Sequence, residues 1–387
     1  MNAFKRSFLL TFVSSLSLLV AFFAGFLLRD WQQRRAATFP VFDEAYRLIE
    51  GHAFTPLPTG QAMQYGAIRG MVQAYGSAVN DPHTSFLEPP QAELENDTLA
   101  GKFGGIGVRL SNDADGNYVL YPFPNGPAAK AGIQDGDRLL AVDDLAITPQ
   151  TPVDQLTAAV RGPIGKKVRI VVGRAPGFEP VSFDVKREEV ALPSVTFHID
   201  ADEARLGVIE VNAMASTTIG EIFDAATDLQ ARGATALALD LRNNGGGLLD
   251  VGIEVARLFL KDGIVIEQQY RGEAVETFKV NKPGKLSDIP MVVLINGGTA
   301  SAAEIVAGAL QAHGRARLIG ETSYGKNTIQ LVYELSDQSS LHVTAAEWRI
   351  PGLDAPRPGK GLTPDIPAAS GATPDEGIRA AIQVLFP

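Results

Sequence analysis

No cysteine occurs anywhere in the 387 residues. That excludes disulfides, thiolate nucleophiles and cysteine-based zinc sites. Histidine is scarce too: the five residues, at 52, 83, 198, 313 and 342, follow no ligand spacing, and neither a metal nor a cofactor is expected. Positive charge runs short, with 34 Lys and Arg against 44 Asp and Glu for a formal net charge of −10. A nucleic-acid binder would need a basic face. Neither a Rossmann G-x-G-x-x-G fingerprint nor a P-loop pattern occurs.

Long uncharged apolar runs are rare as well. The run from Phe8 to Leu28 follows Lys5-Arg6 and ends at Arg29-Asp30. Its 21 residues would span roughly the 30 Å hydrocarbon core as a helix. Residues 1–38 are therefore expected to hold a single transmembrane helix. The alternative is a cleaved signal peptide and a secreted body. The run is long for that, and no A-x-A site follows it.

What is present suits a folded protein of more than one domain, with 45% hydrophobic and 20% charged residues. Residues 39–95 read as helical: Val41, Ala45, Leu48 and Ile49 share one face, and Ala67, Ile68, Met71, Val72 and Tyr75 another. The turn Asp81-Pro82-His83-Thr84-Ser85-Phe86 breaks the pattern, and His83 is taken as structural. Residues 96–188 read as a small β-rich module, with a glycine loop (Phe103 to Leu110), the segment Asn125 to Gly132, and a helix through Val153, Leu156 and Val160.

Residues 189–387 alternate. Strands are expected at Leu206–Val211, Ala236–Leu241 and Met291–Ile295, and helices at Ile219–Gln230, Val251–Leu260, Ala302–Ala312 and Glu376–Leu385. That order implies an α/β core whose ligand sites gather at strand ends. Two segments fall there, Asn243 to Gly247 and Gly297 to Ser301. A serine between a strand and a helix amid small neighbours presents its hydroxyl openly beside free helix amides. Downstream, Gly325-Lys326 lies in a turn with Gln330 four residues on, so an extended segment would turn both side chains to one face.

Together, Asp240-Leu241-Arg242-Asn243-Asn244-Gly245-Gly246, Ala300-Ser301 with Glu304-Ile305, and Gly325-Lys326 with Gln330 resemble the carboxyl-terminal processing (tail-specific) proteases. The tail Gly361-Leu362-Thr363-Pro364-Asp365-Ile366 is similar to theirs, and Gly105-Ile106-Gly107-Val108 with Pro127-Ala128 to Gly136-Asp137 resembles a PDZ domain. The resemblance implies an α/β protease core (189–387) with a crotonase- or Clp-protease-like sheet, and a body outside the cytoplasm. It implies Ser301 as nucleophile, Lys326 as general base and Gln330 as its positioner. The oxyanion would be held by the Ala302 amide and one from Gly246 or Gly247. In the PDZ module the amides of Ile106, Gly107 and Val108 would bind a substrate's terminal carboxylate, beside a pocket lined by Leu156 and Val160. Substrates would be protein tails or unfolded chains, with a homo-oligomer or activating partner possible.

A lysine base must be neutral, well below its unperturbed pKa of about 10.4, and the expected cause is burial beside Ile329 and Leu331. Two departures stand out: Gly245 where the family usually has proline, and Asn327 where glycine is common. Two rivals remain, a catalytically idle PDZ scaffold and a crotonase-like acyl-CoA enzyme. Neither explains Ser301, Lys326 and Gln330 together.

Overall fold

Five consecutive residues, Ala236 to Asp240, are all buried. Such a run marks a strand covered on both faces, as parallel sheets usually are. The computed structural model, which describes residues 39–357, 359–369 and 375–387, bears this out. The chain divides between Ile68 and Arg69 into two units. The first contains α1 (Pro40–His52), in which no residue is buried, and the start of α2 (Gly60–Val79). Among the described residues no helix is long and apolar enough to cross a membrane; the expected span lies outside them.

The second unit opens with the rest of α2, then β1 (Ser85–Leu87) and α3 (Pro89–Ala100). Next comes the β-rich module. A two-stranded ribbon of β2 (Lys102–Gly105) and β9 (Glu188–Ala191) frames it. Within lie β3 (Val108–Asn112), β4 (Tyr118–Pro122), α4 (Pro127–Ala131), β5 (Asp137–Val142), β6 (Leu145–Ala146), α5 (Val153–Val160), β7 (Lys167–Arg174) and β8 (Glu179–Lys186). Strands β3-β4-β5-β7-β8 form an antiparallel sheet with β6 beside β5. Arg187 fastens α5, its guanidinium donating to the Val160 and Ala159 carbonyls at 2.9 and 3.0 Å. That satisfies acceptors a helix C-terminus leaves open.

The α/β core follows in order as β10 (Val195–Ile199), β11 (Leu206–Val211), α6 (Thr218–Ala231), β12 (Ala236–Asp240), α7 (Leu249–Phe259), β13 (Ile264–Tyr270), β14 (Glu276–Lys279), β15 (Met291–Ile295), α8 (Ala302–Ala312), β16 (Arg317–Gly320), β17 (Thr328–Glu334), β18 (Ser340–Arg349), β19 (Ile366–Pro367) and α9 (Glu376–Leu385). One sheet has the order β10-β11-β12-β15-β16-β19, parallel except for β10. Alternation sorts its side chains into two cores. Ile209, Leu237, Leu239, Val293 and Ile295 pack with α6, α7 and α8. Val208, Ala238, Val292, Leu294 and Ile319 face the other way, with α9. The second sheet runs β1-β18-β13-β14, with β17 also on β18.

Candidate active site

Because β12, β15 and β16 are adjacent and parallel, the loops after them emerge side by side. The first two are laced by asparagines. Asn243 N–H donates to Asn296 Oδ1, and Asn296 Nδ2 returns a bond to Asn243 Oδ1, both at 2.9 Å. The Ala300 amide donates to the Asn244 carbonyl at 2.9 Å, and the Thr299 hydroxyl to that of Leu241 at 2.8 Å. These bonds turn the chain abruptly into α8, leaving Ser301 as N-cap with φ 54° and ψ −122°. A residue with a Cβ adopts that conformation only when its surroundings enforce it. Ser301 thus sits on a strained strand-to-helix corner, with the first free amides of α8 beside it.

Gly246 packs against this corner. A Cβ there would lie 2.9 Å from Ser301 Cβ and 3.0 Å from the Ala302 nitrogen, so only glycine fits. Its own amide is engaged with Asn244 Oδ1 at 2.9 Å, which removes Gly246 from the two candidate oxyanion donors. The amides of Gly247 and Ala302 have no such partner among the described residues.

Glu304, one turn into α8, has no exposed surface. Its Oε2 accepts from the Ser301 amide at 2.9 Å and the Lys326 amide at 2.8 Å. Oε1 accepts from the Ser323 hydroxyl at 2.6 Å and the Gly325 amide at 2.8 Å. Four donors compensate the burial of one charge. The same carboxylate fixes the serine corner and the lysine loop to each other. Gly325 lets the backbone of Arg357 pass close to this loop, since a Cβ would meet the Arg357 carbonyl at 2.0 Å.

Burial holds the Lys326 amine below the usual lysine range, against the opposing charges of Glu95, Asp81 and Glu304. The expected apolar surroundings need correction: Leu331 is 37% exposed, and Ile329 packs against the main core. Charged groups act on the amine as well. His83, whose pKa is lowered by burial and then by the Lys326 charge, belongs to the turn Asp81 to Phe86, for which the sequence suggests a structural role. Ser301 and Lys326 are not in hydrogen-bond contact, a separation common before substrate binds.

Lys326 precedes β17 rather than lying in it, so the even-spacing argument applies to Thr328 and Gln330. Gln330 Nε2 donates to Thr328 Oγ1 at 2.9 Å and to Thr344 Oγ1 at 3.1 Å. Its oxygen has no donor among the described residues. Of the scattered histidines, His313 ends α8 as its C-cap and contacts the Ile264 carbonyl at 2.8 Å.

In the β-rich module, Gly107 takes a positive φ of 65° between β2 and β3. The carbonyls of Ile106 and Gly107 are bonded by the Ala128 and Phe123 amides, both at 2.9 Å. Leu156 is wholly buried and Val160 nearly so, both in the module's core with Ile106. Val108 packs against that core. Leu156 and Val160 thus pack into the module's own core.

The chain is similar to several known proteins. Residues 205–368 match the model of peptidase family S41, and residues 118–174 that of a PDZ domain. The carboxy-terminal processing protease CtpA of Bacillus subtilis (strain 168) is 33% identical over 321 residues, 82% of this chain and 67% of that one. A carboxy-terminal-processing protease of Bartonella bacilliformis is 33% identical over 318 residues, 81% and 71% of the two. Among solved structures, a photosystem II D1 C-terminal processing protease is 30% identical, covering 86% of this chain and 89% of its own, with a TM-score of 0.44. The fold and the matched residues define a serine-type endopeptidase with a PDZ domain. The chain belongs to peptidase family S41, among the carboxy-terminal processing proteases.

Proposed function

We propose that this endopeptidase cleaves exported or unfolded proteins at or near their carboxyl ends, with Ser301 as nucleophile and neutral Lys326 as base. Lys326 takes the Ser301 proton as Oγ attacks the scissile carbonyl. The oxyanion is held by the Ala302 and Gly247 amides. The lysine ammonium then protonates the leaving amine, and water, deprotonated by the same lysine, releases the acyl group. Gln330 steadies the amine without a charge that would favour its protonation. The PDZ domain delivers the tail through the loop Ile106–Val108.

One observation carries this reading: Glu304 Oε2 accepts from both Ser301 and Lys326, binding nucleophile and base into one unit. An idle scaffold has no use for that unit. Residues 8–28 anchor the chain in a membrane, with the body outside the cytoplasm. The test is incubation of the full chain with an unfolded protein and mass spectrometry of the products, beside Ser301→Ala. Products near the substrate's C-terminus from the parent alone are expected; identical products from the alanine variant place the nucleophile elsewhere.

A further inference from the structure

The lysine's supposed positioner, Gln330, is a side-chain amide with two chemically opposite ends. Which end faces the amine decides whether a neutral lysine can act. An amide oxygen accepts an amine N–H and leaves the nitrogen lone pair for the serine proton. An amide NH₂ would instead donate to that lone pair and occupy the base. The two ends are told apart by the hydrogen bonds each can make. Here the network determines the choice.

The chain of bonds starts at the turn before β1. Asp81 is an acceptor whose carboxyl lies below its usual pKa: burial opposes this, but bonds from Thr84, His83 and Thr344 outweigh it. Thr344 Oγ1 donates its single proton to Asp81 Oδ1 at 3.1 Å. The same oxygen can then only accept, and it does so from Gln330 Nε2 at 3.1 Å. Thr328 takes the other bond at 2.9 Å. Thr84 reinforces the base of the chain, accepting from the Thr344 amide at 3.1 Å and donating to Asp81 Oδ2 at 2.5 Å. A break in the β17–β18 register between Ile329 and Gln330 brings Gln330 opposite Thr344. With its nitrogen held, only the oxygen of Gln330 is unused.

We infer that Thr344, anchored by Asp81, is a positioning residue that fixes the polarity of the Gln330 amide so that its oxygen is offered to Lys326. This rests on the reading of Lys326 as base and Gln330 as its positioner. The threonine never touches the reacting atoms; it acts through Gln330.

The test uses the full chain and fluorescein-labelled casein, with kcat and KM measured separately. Thr344→Val keeps the shape and removes the hydroxyl. Its kcat is expected to fall roughly 3- to 10-fold, the scale of one lost neutral hydrogen bond, with KM unchanged. Thr344→Ser should recover most of the loss. In a Gln330→Ala background, Thr344→Val should cost nothing further, because the amide it orients is gone. Thr344→Ala serves if valine is not accommodated. If Gln330→Ala is as active as the parent, the positioner falls and the relay with it. If Gln330→Ala is slow but Thr344→Val is not, or if their effects multiply, only the relay is overturned. A serine variant as slow as the valine one also overturns it.

Discussion

The backbone amides of Ser301 and Lys326 donate to the same oxygen, Glu304 Oε2, at 2.9 and 2.8 Å. Two loops that follow different strands thereby share one acceptor. Replacing Glu304 with Gln preserves the shape but turns one oxygen into a donor facing donors. Hydrogen bonds to a charged group contribute about 1.5–3 kcal/mol each. Glu304→Gln should therefore lose about 3–5 kcal/mol of stability and, where still folded, about 100-fold in kcat. Denaturant melts and casein turnover check this; a variant with parental stability would show that the four bonds contribute little.

The backbone of Ser301 yields a second prediction. A non-glycine residue at φ 54° and ψ −122° stores on the order of 1–3 kcal/mol. Ser301→Gly should raise stability by about 1 kcal/mol, glycine's unfolded-state entropy offsetting part of the relief. Ser301→Ala should not. Both should be inactive. Equal stability of the two would mean that the corner is not strained.

Lys326 has a depressed pKa, so its folded form releases a proton more readily than its unfolded form. Between the lowered value and 10.5, the ordinary value, the unfolded chain binds more protons, and stability rises with pH through that window. Below it, the penalty on the buried ammonium is present in full. Lys326→Met should therefore melt higher than the parent at neutral pH, with the gap closing as pH approaches 10.5. The parent's kcat/KM should climb with pH to a plateau as the amine becomes neutral. Lys326→Arg should be inactive at every pH tested.

Gly245 departs from the family's usual proline without a steric reason. A Cβ there would meet nothing within 4 Å, and its φ is not in the left-handed range. Its amide makes no hydrogen bond among the described residues. Gly245→Pro should keep activity and add about 0.4–1 kcal/mol by restricting the unfolded chain. A loss of stability in thermal melts would show that this loop needs glycine's freedom.

Recognition of chain ends can be read from one polypeptide carrying either a free or an amidated C-terminus. If the amides of Ile106, Gly107 and Val108 bind a terminal carboxylate, amidation should lower kcat/KM roughly 10- to 150-fold. Equal cleavage would make the PDZ domain a spacer rather than a reader.

Local pattern made much of this legible. Helix α8 runs from Ala302 to Ala312 as expected because small and apolar residues suit a helix buried all round. Strands such as Ala236–Asp240 stood out because burial on both faces favours an unbroken apolar run, here Ala236 to Leu239. What stayed hidden depends on contacts between distant residues. Glu304 at the third helical position looks like an ordinary capping residue; its other bonds come from residues 19 to 22 positions onward. Which glycine amide is free depends on where the Asn244 side chain points, and a run of glycines does not encode that. The turn at Asp81 gave no sign that it adjoins Lys326, since the β1–β18 pairing and the Thr344 bonds that bring it there join residues far apart in the sequence.

That pairing also sets a schedule. Asp81 and Thr344 are 263 positions apart, so during synthesis the early turn must wait while the PDZ domain and most of the core emerge. Segments released first generally fold first, yet here the first to appear is among the last to find its partner. Until β18 leaves the ribosome, the half-made protein has a serine corner but an unfinished surround for its lysine.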